Sequence, residues 1–79
     1  MTDQYLIKLG KRIEALRNAQ GLSLRQLEAK CKTLSHGRIS EMEKGTRNPR
    51  FLTVLEVASA LNVSLQDFYK GFDEIPDND

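Results

Sequence analysis

A chain of 79 residues with 39% hydrophobic content, two prolines and no low-complexity run is one globular domain, because at this length only about 60% of the unfolded surface can be buried, too little for two cores. Its one cysteine, Cys31, excludes an internal disulfide framework; with no signal-peptide pattern and no apolar run near the ~20 residues of a membrane span, the expected setting is a reducing cytoplasm. Net charge is only +1, but residues 1–50 carry eleven Lys/Arg against five Asp/Glu, a net +6, and residues 51–79 one Lys against six acids, a net −5, which reads as a phosphate-facing side with an acidic back.

Leu6, Leu9, Ile13 and Leu16 recur at helical spacing behind Asp3, so a first amphipathic helix is expected over about 4–19, ended by Gly21. Then one pattern occurs three times: an apolar residue, a serine, and an apolar residue four positions beyond the serine. The instances are Leu22-Ser23 with Leu27, Leu34-Ser35 with Ile39, and Val63-Ser64 with Phe68. A serine so placed caps orphan helix N–H groups while the apolar pair forms a hydrophobic staple, and Gln26 and Asp67 stand where a capping-box partner belongs. Three helix starts follow. Helix three is expected over about 36–44, because Gly45 suits the left-handed position after a helix and the run to Arg50 breaks the periodicity. Leu52, Val54, Leu55, Val57, Ala58 and Leu61 cover most of a cylinder, which predicts a fourth helix buried on several sides and ended at Asn62. A fifth begins at Ser64 and fades near Gly71. The expected organisation is a domain over 1–72 and an acidic, frayed tail over 73–79.

Helices two and three are each about eight residues long and are joined by a turn of three or four residues around Lys32 to Leu34. Two short capped helices so joined form a helix-turn-helix, an arrangement that many small bundles also contain. Catalysis has no such footing: there is one histidine, one cysteine, no glycine-rich phosphate loop, and no nucleophile, base and orienter at recognisable spacing. The chain reads as a non-enzyme with no cofactor and no small-molecule substrate. Cys31 and His36 are two ligands at most and do not make a metal site; Cys31 is expected to pack helix two against the core.

The pieces Leu9-Gly-Lys-Arg-Ile13, Leu16-Arg17, Gly21-Leu22-Ser23, Leu27, Ile39-Ser40-Glu41-Met42-Glu43-Lys44-Gly45, Asn48-Pro49 and Leu55 through Phe68 together resemble the Cro/repressor-type, XRE-like helix-turn-helix family. The resemblance implies an all-α, compact, five-helix lambda-repressor-like fold. It also implies a cytoplasmic homodimer on double-stranded DNA, with helix three reading a palindromic operator in the major groove. The small size and the lack of an effector domain are similar to controller proteins of restriction-modification systems; an antitoxin or a phage-type repressor on the same fold is the alternative. The family pattern also pairs the positions of Arg17 and Glu43, read here as a structural bridge that fixes the angle of helix three.

Ser35, His36, Gly37, Arg38 and Glu41 point away from the Ile39/Met42 face and form the expected groove-facing set. Arg38 leads it, since a guanidinium can make two hydrogen bonds to guanine O6 and N7. His36 is either a DNA contact or a solvent-facing side chain, and the sequence does not separate the two. Phosphate contacts are expected from the N–H groups near Leu24 and Arg25 and from the Arg25, Arg47 and Arg50 side chains; Asn48 belongs to the expected DNA-binding set, and the resemblance implies that the loop of Arg50 approaches the sugar-phosphate edge or the minor groove. Three positions depart from the family pattern: Leu24 stands where glutamine is common, Glu28 replaces a small alanine beside a turn one residue longer than usual, and Gly37 offers no base-reading side chain. Leu65, Tyr69 and Phe72 are the expected dimer interface, with Phe68 turned inward and Ile75 adding apolar surface beyond it.

Overall fold

The computed structural model describes residues 4–72; the expectations for Asp3, Ile75 and the 73–79 tail lie outside them. Five helices follow in order: α1 (Gln4–Ala19), α2 (Leu24–Lys30), α3 (His36–Glu43), α4 (Phe51–Ala60) and α5 (Leu65–Phe68). Each serine start has its cap. Ser23, Ser35 and Ser64 accept from the backbone N–H of Gln26, Arg38 and Asp67, and at Ser23 the bond is reciprocal, Gln26 Oε1 accepting from the Ser23 N–H at 2.7 Å. Arg50 occupies the corresponding position before α4 but supplies no side-chain cap.

The helix ends are as local as the starts. Gly21, Gly45 and Asn62 have φ of 69°, 74° and 60°, and the residue after each donates back five positions: Leu22 to Arg17, Thr46 to Glu41 and Val63 to Ala58, at 3.0–3.2 Å. These are Schellman closures of α1, α3 and α4, which satisfy carbonyls that the helix itself leaves without partners.

The core is a single cluster of Leu9, Ile13, Leu27, Leu34, Ile39, Met42, Val54, Val57, Ala58, Leu61 and Phe68. Helix α1 lies on α3, and the approach depends on Gly10: a methyl there would collide with the carbonyl oxygens of Met42 and Glu43. Gly45 is buried as well as left-handed, with the Ile7 backbone 3.1 Å from where a Cβ would stand. Helix α4 is less covered than the expected burial on several sides. Val54, Val57 and Ala58 are buried, but Leu52 is 73% exposed and Leu55 39%, next to Phe51 at 62%. Apolar content marks a helix as able to be buried; the number of helices packed around it decides how much of it is.

The end of α5 is held from α1. Arg12 donates to the carbonyls of Phe68 and Lys70 at 2.6 and 2.5 Å and to that of Asp67 at 3.3 Å, closing a four-residue helix too short to satisfy its own last carbonyls. Among the described residues no helix is long and apolar enough to cross a membrane.

Candidate nucleic-acid interface

Helix α3 turns two sides to different surroundings. Ile39 and Met42 are buried, while Gly37, Arg38 and Glu41 are exposed on the opposite side and Ser35 is exposed at the cap. Ser35 Oγ is already engaged, accepting from the Arg38 N–H at 3.2 Å. Gly37 has open space around it, with only Ser35 Oγ at 3.9 Å from a built Cβ.

The loop after α3 folds back beside the helix and makes a cleft of about 320 Å³ lined by Arg38, Met42, Arg47, Asn48, Pro49, Arg50 and Thr53. Three guanidinium groups thus share one concavity with an amide. Arg47 Nε is paired to Glu41 Oε1 at 2.7 Å, with both side chains about half exposed. Among the described residues Arg38 and Arg50 have no ion-pair partner, so both can take an anionic or base-edge acceptor without breaking an internal bond. Arg25 is exposed on α2; Leu24 is half-buried against the core cluster, which leaves that position its backbone N–H and an apolar surface rather than a polar side chain.

Two pairs hold the unit together. Arg17 Nε and Nη2 reach the two oxygens of Glu43 at 2.7 and 3.1 Å, and Nη1 reaches the Leu22 carbonyl at 2.8 Å. The side chains are 13% and 8% exposed. One guanidinium therefore ties α1, the start of the helix-turn-helix and the last residue of α3. At the other end of α3, Glu28 reaches across from α2. Its Oε2 accepts from the His36 N–H at 3.0 Å, and His36 Nδ1 lies 3.4 Å from both oxygens. The His36 backbone bond, aided by the ring, holds the Glu28 carboxyl below the usual carboxylate range in spite of desolvation. The larger residue at 28 is accommodated because its carboxylate extends past the turn to cap α3.

Five residues, Cys31–Ser35, separate α2 from α3. Glu56 of α4 grips this turn, a contact absent from the sequence reading. Its Oε2 accepts from the N–H groups of Lys32 and Thr33 at 2.5 and 2.7 Å, and its Oε1 from Thr33 Oγ1 at 2.7 Å. Partial burial opposes ionisation of Glu56, but the bonds from Thr33 and Lys32, with the Leu34 N–H also facing it, outweigh the burial and keep the carboxyl low. Cys31 is partly buried against the core, and that burial, with Glu56 and Glu28 nearby, pushes its thiol up; it is a packing residue, not a thiolate. No group of three or more potential metal ligands occurs among the described residues.

Leu65, Tyr69 and Phe72 are half-buried within the monomer. Tyr5 donates to Tyr69 Oη at 3.2 Å, Phe72 stands edge-on to Tyr5 and Tyr69, and Lys8 and Arg12 lie over the Phe72 ring at 5.1 and 5.2 Å. Among the described residues the large apolar side chains most open to solvent are instead Phe51, Leu52 and Leu55.

The sequence pattern of the helix-turn-helix family matches residues 13–68, a span that contains α2, the five-residue turn, α3 and the arginine-lined loop. The chain belongs to the XRE-like helix-turn-helix family of transcriptional regulators. It is 35% identical over 68 residues to y4dJ, an uncharacterized HTH-type transcriptional regulator of Sinorhizobium fredii, covering 86% of this chain and 87% of that one. Among solved structures, it is similar to the restriction-modification controller protein C.AhdI from Aeromonas hydrophila, at 33% identity and a TM-score of 0.73, over 80% of this chain and 94% of that one. The clp gene regulator ClgR from Corynebacterium glutamicum is similar at 28% identity and a TM-score of 0.77, over 89% of this chain and 73% of that one. The all-α, five-helix fold is thus that of known helix-turn-helix regulators.

Proposed function

We propose that this protein is a sequence-specific DNA-binding regulator that acts as a homodimer on a palindromic operator, in the role of a restriction-modification controller. The observation that carries DNA recognition is the exposed side of α3, where Arg38, without an ion-pair partner among the described residues, lines a cleft shared with Arg47, Asn48 and Arg50. In this reading α3 lies in the major groove. Arg38 reads a guanine edge; His36, Gly37 and Glu41 line the approach; Ser35, Leu24 and Arg25 meet the backbone at the helix starts; Arg47, Asn48 and Arg50 follow the phosphates. The controller role is supported by the 33% identity to C.AhdI over 94% of that chain.

A single recognition helix reads only a few base pairs, which is too little to select one site, so two copies about 34 Å apart are required. The two-fold surface draws on the open parts of Leu65, Tyr69 and Phe72 and on Phe51, Leu52 and Leu55 of α4, which packs against α5. Selection of bound duplexes from a random library tests the whole reading: it yields one symmetric sequence with half-sites one helical turn apart. Recovery of no preferred sequence refutes it. Sedimentation at micromolar concentration separates the dimer from the rest, since a strict monomer both free and on DNA removes the two-fold surface while leaving recognition in place.

A further inference from the structure

The backbone N–H groups of a turn between two short helices have no ladder to join, and each must find a partner or be left to water. From Cys31 to Ile39 four find one inside the helix-turn-helix itself. Cys31 donates to the Glu28 carbonyl, His36 to the Glu28 carboxylate, Arg38 to Ser35 Oγ and Ile39 to the Ser35 carbonyl. Lys32 and Thr33 instead reach outside it, because their partner is Glu56, which stands on α4, 23 residues beyond Thr33. Two backbone bonds and one hydroxyl bond converge on this carboxylate, and charge-assisted bonds of this kind are about twice as strong as neutral ones.

The position of this grip matters. The last residue of α3, Glu43, is anchored to α1 by the two-pronged Arg17 bond. The Glu28 bonds link α2 to α3 and therefore move with the helix-turn-helix as a unit. Arg17 also ties the start of the unit to α1 through the Leu22 carbonyl; Glu56 is the charged attachment between its central turn, just ahead of α3, and α4, a helix outside it. We infer that Glu56 is a positioning residue for DNA recognition: by holding the Lys32–Thr33 turn against α4 it sets where the start of α3 stands, and so where Ser35, Gly37 and Arg38 meet the groove. With Glu43 anchored and the turn released, α3 is a lever fixed at one end. Two-point contacts to a base edge tolerate displacements well below 1 Å, so the loss falls on sequence preference before it falls on phosphate attraction.

This inference rests on the proposed reading of α3 as a recognition helix. The experiment compares wild type, Glu56→Ala and Glu56→Gln in their dissociation constants for the selected duplex and for a random duplex of equal length, at one salt concentration, with amide hydrogen exchange on the free proteins. In Glu56→Ala the preference for the selected duplex falls by about tenfold, roughly the worth of one charge-assisted hydrogen bond. Affinity for the random duplex is unchanged or slightly higher, because a negative charge has gone. The Lys32 and Thr33 amides lose much more protection than those of Ile39 and Val57. Glu56→Gln retains one oxygen for the backbone donors and loses about threefold in preference; if Glu56→Ala does not fold, an unchanged preference in Glu56→Gln overturns the inference. A parallel loss on both duplexes, with Ile39 and Val57 losing as much protection as Lys32 and Thr33, also overturns it, since Glu56 then acts only through global stability. A selective wild type whose preference survives Glu56→Ala defeats this inference alone, whereas a wild type with no preference defeats the recognition reading as well.

Discussion

Replacing Glu43 by alanine leaves the Arg17 guanidinium without its counter-charge at a site where the two side chains are 13% and 8% exposed. Two of the three hydrogen bonds of that guanidinium go to Glu43, at 2.7 and 3.1 Å, and only the one to the Leu22 carbonyl at 2.8 Å remains. Breaking one half of a buried pair costs about 3–5 kcal/mol, because the surviving charge stays desolvated. The residual exposure of Arg17 lets water reach part of it and places the expected loss near the lower end, about 3 kcal/mol. A domain of this size is stable by only about 4–12 kcal/mol in total, so the melting temperature should fall by roughly 12–24 °C. The double variant Arg17→Met with Glu43→Leu removes both charges and fills the space with apolar atoms, and it should recover about 2 kcal/mol relative to the sum of the single changes. Urea and thermal unfolding of the four members of this cycle measure the coupling. If Glu43→Ala costs under about 1 kcal/mol and the double variant is additive, the pair behaves as an exposed surface pair, and the argument that it anchors the C-terminal end of α3 is wrong.

Gly10→Ala should destabilise the fold by about 2–4 kcal/mol, since its methyl meets the Met42 and Glu43 carbonyls. Gly37→Ala, with open space around it, should stabilise α3 by up to about 1 kcal/mol; melting temperatures that move the same way for both would contradict the packing described for α1 on α3. Arg38→Ala should lower affinity for the selected duplex by about 1–3 kcal/mol and relax preference at one guanine position, whereas an equal loss on all sequences reduces Arg38 to a phosphate contact. Affinity should fall with salt on a log–log slope of about −0.9 for each phosphate neutralised; a flat response between low and physiological salt would remove the arginine-lined cleft from the interface. The Glu56 and Glu28 carboxyls are held below their ordinary value of 4.5, so the stability they contribute is full above that value and is lost as pH falls through their lower folded-state values. The melting temperature of wild type should therefore decline into acid more steeply than that of Glu56→Gln, and parallel curves would show that the turn contacts carry no linked stability.

The helix boundaries were legible because the chemistry that sets them is local. Ser23, Ser35 and Ser64 cap N–H groups three residues ahead, and Gly21, Gly45 and Asn62 close helices through bonds spanning five residues; distances that short are written in the order of the residues. The placement of Arg38 and Glu41 opposite Ile39 and Met42 followed likewise from the 3.6-residue period of one helix. Contacts between helices were legible only in part. The pairing of Arg17 with Glu43 entered through the family pattern, while its geometry, including the third bond to Leu22, belongs to the fold. Glu28 seemed only a bulky departure until the five-residue turn put the His36 N–H within its reach.

The tertiary structure alone decided the rest. Glu56 carries no signal that it will hold residues 23 and 24 positions before it, because an exposed-looking carboxylate on a helix is indistinguishable from a solvated one until the turn is packed against it. Gly10 reads as a weak helix residue until the α3 carbonyls are seen at its back. The apolar pattern of α4 predicts burial for Leu52 and Leu55, and they stand open because no further helix covers that side of α4 among the described residues. Periodicity specifies which side chains can be buried together; how many helices surround them, and which long-range donors find which carboxylates, depends on the assembled core.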